Sequence, residues 1–315
     1  MPEIRHDSFL TKNDLLYIES VLLKPLDEEL ALRQIARVNP SYPRFAREIG
    51  YDVYKREGKA KVHAAGGRVK DIPFVGEEID RTTQPAVDIA TGIRYNEDEL
   101  EAMQAKRSLG KGPAFSLDQS RIDAARRFVS EQEDFIGFNG DSSLKIQGVL
   151  NKTGIQAEDV AEGATGANAT EKKKWENKTS LEILKDLHTA KTKVENSGHF
   201  NATTLVLSTE AKNRMLKPLN DVATLTLLKW LESEGLFFKK IITTNALKGA
   251  NNVLNKNCFL VLDDNPAVIE LAILKDITLG TPETDWTGET KMLVSERFGG
   301  SIIRYPSAIY VGKGI

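Results

Sequence analysis

SLDQSRIDAARRFVSEQEDFIGFNGDSSLKIQGVLN, residues 116–151, is the stretch on which the reading of this chain turns. Ser116 followed three residues later by Gln119 is a capping box, in which hydroxyl and amide satisfy backbone N–H groups that a first helical turn leaves unpaired. Behind it Ile122, Ala125, Val129, Gln132 and Ile136 recur at three- and four-residue steps, with Ala124, Phe128 and Phe135 widening the stripe. The spacing predicts one long amphipathic helix with a buried face. Asp123, Arg127 and Glu131 stand four apart on another face, a ladder of opposite charges worth roughly 0.2–0.5 kcal/mol per pair and typical of a solvated surface. The helix is expected to stop at Gly137, Asn139 and Gly140, after which a polar loop leads to Ile146, Gly148 and Asn151.

The segment FIGFNGDSSLKIQGVLN, placed after such a helix, resembles the spine helix and following loop of tailed-phage major capsid proteins with the Hong Kong 97-type fold, in the branch shared with encapsulin-like shell proteins. In that family the helix is the long axis of the peripheral domain, and an aromatic, Gly, Asp phrase followed by Gly-x-Leu-Asn recurs just beyond it. The likeness implies an α+β fold in five parts. These are an N-terminal arm (residues 1–50), an extended β-hairpin loop (51–95), a peripheral domain with the spine helix (96–150), an α/β axial domain (151–262) and C-terminal strands returning to the peripheral domain (263–315).

Composition is compatible with this. A chain of 315 residues, 40% apolar and 28% charged, can bury a core in one large domain or two smaller ones. A formal charge of -2 excludes nucleic-acid binding driven by a strong overall positive charge. One cysteine, Cys258, excludes an intramolecular disulfide. The polar beginning MPEIRHDSFLTKND has no apolar core of signal-peptide length, and no apolar run approaches the roughly 18 residues of a membrane span.

Along the chain, residues 13–37 carry apolar periodicity broken by Pro25, which reads as two short helices, either an arm leaning on another surface or a hairpin packed on its own core. Residues 51–95 alternate. Extended pieces are expected at 52–54, at 59–63 and 68–75 around the turn Ala64-Ala65-Gly66-Gly67, and again at 85–95. So charged a ribbon is marginal by itself and needs a partner surface, although a solvated hairpin of a monomer would alternate in the same way. Asn96 to Ala105 reads as the start of a short acidic helix, and Gly110-Lys111-Gly112 lacks the context of a phosphate loop. Residues 158–175 read as a mobile connector or surface loop whose Lys172-Lys173-Lys174 is a solvated face before it is a phosphate contact.

Thr179 and Glu182 form a second capping box, opening a helix with Leu181, Leu184, Leu187 and Val194 on one face and Gly198 at its end. Strands at 203–207 and 240–244, with helices at 208–215 and 225–234 between them, make a compact α/β lobe. Cys258 to Leu262 is a buried-type strand turned by Asp263-Asp264-Asn265-Pro266. A long strand follows at 269–279, and 291–298 is expected to pair with 301–311 across Gly299-Gly300.

No catalytic constellation is visible. His6, His63, His188 and His199 show no metal-ligand spacing, the first strand of the α/β lobe is followed by Ser208-Thr209-Glu210 without glycine, and no nucleophile-elbow or zinc-protease motif occurs. Neither cofactor nor metal is expected.

The resemblance implies a major capsid protein that self-assembles as pentamers and hexamers into an icosahedral phage head around double-stranded DNA. It implies a virion location after assembly in the host cytoplasm, with portal, scaffold or decoration proteins as further partners and no membrane. DNA would be met through weak, nonspecific contacts. An encapsulin-like compartment with a protein cargo, and a soluble α/β enzyme, are the competing readings. The inter-subunit residues implied are Lys59, Lys61, His63, Gly66, Gly67, Arg68 and Lys70 in the extended loop. The axial tip loop implied is Leu247, Lys248, Gly249, Asn251 and Asn252, and the residues of the spine helix and its following loop are Ser116, Gln119, Ile122, Val129, Ile136, Gly140, Gly148 and Asn151. The fold's prototype joins a ribbon lysine to a peripheral-domain asparagine. From Pro266 onward this chain has no asparagine, leaving only acids such as Asp276 or Asp285, so a shell held by noncovalent contacts is expected.

Overall fold

The computed structural model describes residues 30–62, 73–99, 101, 105, 117–219, 225–234 and 237–315. Its peripheral lobe is built on a five-stranded sheet of β1 (Arg37–Asn39), β4 (Val87–Tyr95), β9 (Ile269–Leu279), β10 (Glu283–Thr284) and β11 (Thr290–Ile303). Strand β11 is the hub, antiparallel to β4, β9 and β10, while β1 lies parallel to β9. The spine helix α2 (Leu117–Asn139) lies across β4 and β11. The short helix α1 (Leu32–Ile35) sits on its last turns.

The row that α2 turns inward is Ala125, Val129, Glu133 and Ile136, with Ile122 packed at its edge. Phe128 and Phe135 do not widen it: they are 62% and 50% exposed, and Ala124 and Gln132 are exposed as well. At 100° per residue, positions 128 and 135 share a face turned away from the sheet, whereas the row through 129 and 136 passes through position 133. Glu133 fills that place because Arg33 of α1 reaches it.

The axial lobe carries a second five-stranded sheet in the order β5-β12-β8-β6-β7. These strands are β5 (Gln156–Asp159), β6 (Thr204–Leu207), β7 (Lys240–Thr243), β8 (Cys258–Leu262) and β12 (Ile309–Lys313). Helices α3 (Ala169–Lys173), α4 (Ser180–Asn196), α5 (Thr209–Arg214) and α6 (Leu227–Glu234) belong to this lobe. Its core joins Trp175, Ile183, Leu187, Leu205, Leu231 and Phe259. The α4 capping box forms: Glu182 N donates to Thr179 Oγ1 and Thr179 N to Glu182 Oε2. Leu181, however, is 57% exposed, and Ile183 and Ala190 complete the inward face instead.

Other expectations are corrected. Residues 158–175 are no loose connector: they hold the end of β5 and all of α3, and Trp175 is buried with its Nε1 donating to Asp186. Residues 291–311 do not fold back at Gly299-Gly300. Strand β11 runs straight through, and a register shift against β9 between Phe298 and Ser301, with Gly300 at φ +81°, makes the glycines a bulge rather than a turn. Nor do all the C-terminal strands return to the peripheral lobe, since β12 lies between β5 and β8 of the axial sheet. Within the N-terminal stretch, Leu32 and Ile35 are buried in the chain's own core.

Candidate assembly surfaces

Strands β2 (Glu48–Glu57) and β3 (Gly76–Pro85) form an isolated antiparallel ribbon, in register from Glu48–Pro85 to Glu57–Gly76. Strand β2 contains the extended piece read at 52–54, but the hairpin itself lies nearer the body than the sequence predicts: described residues 59–62 and 73–75 are not strand, and 76–85, with only Ile79 as a large apolar side chain, carries no strand signal. The ribbon is anchored at its root. Ile49 and Gln84 are buried, Gln84 Nε2 donates to Gly299 O at 2.9 Å, and Tyr51 Oη donates to Ile303 O at 3.0 Å. Midway, Arg81 grips Asp52 with two bonds of 2.7 and 3.0 Å, which hold the Asp52 carboxyl below its usual range.

Beyond that point the ribbon presents apolar side chains to solvent. Tyr54 and Ile79 are cross-strand partners and both exposed, and Val62, Phe74 and Val75 are 95%, 89% and 74% exposed. These side chains form an exposed apolar patch of the kind found at interaction surfaces. Lys59 and Lys61 are exposed beside it; His63, Gly66, Gly67, Arg68 and Lys70 lie outside the described residues.

The spine motif has a physical basis. Ser116 lies outside the described residues and Gln119 falls in the helix's first turn. At the other end, Gly140 takes φ +69°, and a Cβ there would stand 2.5 Å from Ile146 O; a Cβ on Gly148 would stand 2.4 Å from Gly140 N and from Phe138 O. Two backbone segments therefore touch where no side chain fits. Gly148 N donates to Asn151 Oδ1 at 2.7 Å, and Val149 N and Leu150 N donate to Gly137 O and Phe138 O, satisfying carbonyls that the helix end leaves open.

Residues 247–257 are not a projecting tip. Leu247 is fully buried, and Asn252 Nδ2 donates to Leu247 O, Lys248 O and Lys256 O, while Gly249 N donates to Asn257 Oδ1. Asn139, the last residue of the spine helix, donates to Asn251 O and accepts from Val253 N, so the segment is clamped at the junction of the two lobes. With Phe135 it walls an open groove of about 810 Å³. The asparagines were legible; their inward use was not. Two further exposed groups escape sequence reading: Trp286, 93% exposed in the turn between β10 and β11, and the Phe128–Phe135 face.

Among the described residues no group of His, Cys, Asp or Glu could hold a metal ion, and no helix is long and apolar enough to cross a membrane.

A spine helix laid across one sheet, a second α/β lobe and a ribbon leaving the body define the Hong Kong 97-type capsid fold. The structure is similar to the capsid of Myoviridae phage XM1, with a TM-score of 0.79, 13% identity and coverage of 98% of this chain and 100% of that one. It is similar also to the capsid of an empty GTA particle (TM-score 0.64, 14% identity, 95% and 94% covered) and to a virus-like particle from Pyrococcus furiosus (TM-score 0.58, 18% identity, 89% and 90% covered). No curated protein sequence matches. The profile of the family described as "Major capsid protein" matches residues 58–315, and the chain belongs to that family.

Proposed function

We propose that this major capsid protein closes, as pentamers and hexamers, an icosahedral head around double-stranded DNA, located in the virion after assembly in the host cytoplasm. The observation that carries the reading is the ribbon: anchored by buried groups at its root, it offers Ile79, Val62, Phe74 and Val75 to solvent beyond the chain's own body. Burial on a neighbouring copy would remove that apolar area from water at roughly 25 cal/mol per Å². DNA contact is weak and nonspecific, in keeping with the near-neutral charge, and Lys173 and Lys174 already pair with Asp159 and Glu176. Portal, scaffold or decoration proteins would complete the particle.

The contacts are noncovalent. Asp276 faces Arg33 and Asp285 is bonded to Lys291, so both candidate acceptors have partners, and Asp285 is ionised more readily than an ordinary carboxyl because of that lysine. Denaturing gels of intact particles should show the single chain, without ladders. Negative-stain microscopy of the purified protein tests the assembly itself: closed particles are expected, and a population of compact single molecules would sink the proposal. The likeness to the Pyrococcus furiosus particle supports a second reading, a compartment with protein cargo. Purified particles enriched in one enzyme instead of DNA would favour it.

A further inference from the structure

Glu133 and Glu296 are the two most enclosed acids among the described residues, 2% and 0% exposed. They face each other from the spine helix and from β11, beneath Arg33 of α1. Arg33 donates to Glu133 from Nε at 2.9 Å and from Nη2 at 2.7 Å, and Nη2 reaches Glu296 Oε1 at 3.2 Å and the exposed Asp276 of β9 at 3.5 Å. Glu296 Oε2 is buried without a hydrogen-bond partner. No other cation among the described residues pairs with Glu133 or Glu296: Lys275 of β9 bonds Ser295, and on β4, which runs beside Glu296, Asp88 is taken by Arg297. One guanidinium thus serves three carboxylates.

We propose that this cluster is a proton-operated latch: a proton held on Glu296 keeps α1 closed on the spine helix, and its loss releases α1. Two buried carboxylates side by side cannot both be ionised without large cost. Burial, and then the neighbouring charge of Glu133, push the Glu296 carboxyl up from 4.5 to about 8. The rest of the α1 joint is apolar packing and hydrogen bonding: Leu32 and Ile35 are buried in the core. Ala31 N and Leu32 N donate to Asp134 Oδ1, Lys240 Nζ donates to Gln34 O, and Leu32 fits over Gly137.

Opening removes the lid and admits water, so Glu296 then ionises more readily than in the closed state. The closed state keeps a proton that the open state gives up. Closure is therefore most favoured at low pH, weakens as pH rises, and has lost this contribution above about pH 8. The opening equilibrium should grow by as much as about tenfold per pH unit inside that window.

Hydrogen–deuterium exchange of the full chain reads this directly at the amides of residues 32–36, corrected for intrinsic exchange. Between pH 6 and pH 8 the opening of wild-type α1 should rise about tenfold or more, while helix α4 of the axial lobe stays level; Glu296→Gln, which mimics the protonated acid, should abolish the rise. An opening that is flat or falls with pH in the wild type, a parallel rise in α4, or an undiminished rise in Glu296→Gln would each overturn the latch.

Discussion

Leu32 Cδ2 occupies the space in which a side chain on Gly137 would begin: an added Cβ would stand 2.1 Å from it. Glycine inside a helix costs about 1 kcal/mol against alanine, so its presence in the last turn of the spine needs a reason. The reason is the approach of α1. Gly137→Ala should gain helix propensity and lose more through overpacking, for a net destabilisation of about 1–3 kcal/mol in denaturant unfolding. Leu32→Ala in the same chain should recover part of that loss, because the contact removed is the one that clashes. A more stable Gly137→Ala chain would show that α1 does not sit where it is described.

The same contact marks the boundary of what sequence reading reaches. Local signals were legible: Thr179 and Glu182 box the start of α4, and Gly140, Gly148 and Asn151 close the spine because backbone contacts demand those residue types. Signals that depend on distant partners were not. Glu133 looks like a surface acid until Arg33, a hundred positions earlier, reaches it. Phe128 and Phe135 look like core until the sheet proves to lie on another face of the helix. Strand β3 has almost no apolar residues because its partners are β2 and, we propose, another copy, and β12 joins the axial sheet through pairing with β5 and β8 that no local pattern announces.

Lys178 provides a test inside the axial lobe. Its Nζ lies 2.6 Å from Asp186 Oδ2 and 2.7 Å from Ala161 O, and Trp175 Nε1 donates to the same carboxylate oxygen at 3.0 Å. Desolvation already raises the Asp186 carboxyl above its ordinary value against the opposing pull of Lys178. Lys178→Met removes that pull and leaves a buried charge without a cation, which should cost about 3 kcal/mol. A carboxyl raised in the folded state contributes stability at low pH that is lost as pH rises, so the variant's deficit should be smaller at pH 5 than at pH 8. Unfolding at the two pH values checks both the size and the sign; a deficit larger at pH 5 contradicts the arrangement.

The ribbon separates folding from assembly along its own length. Ile49 at the root is 3% exposed and packs with Ala272, Leu274 and Ile302, so Ile49→Ala should destabilise the subunit by about 2–5 kcal/mol. Ile79 and Phe74 farther out are 67% and 89% exposed. Ile79→Asp and Phe74→Asp should leave the unfolding midpoint nearly unchanged, within about 0.5 kcal/mol, as surface substitutions do. A buried carboxylate at a contact between copies is costly unless paired, so the same two variants should yield folded chains that fail to close particles under negative stain. Root and outer positions belong to one pair of strands, yet the first answers to the subunit's own core and the second to its neighbour. Normal particles from Ile79→Asp and Phe74→Asp would remove the ribbon from the assembly surface and leave Trp286 and the Phe128–Phe135 face to carry it.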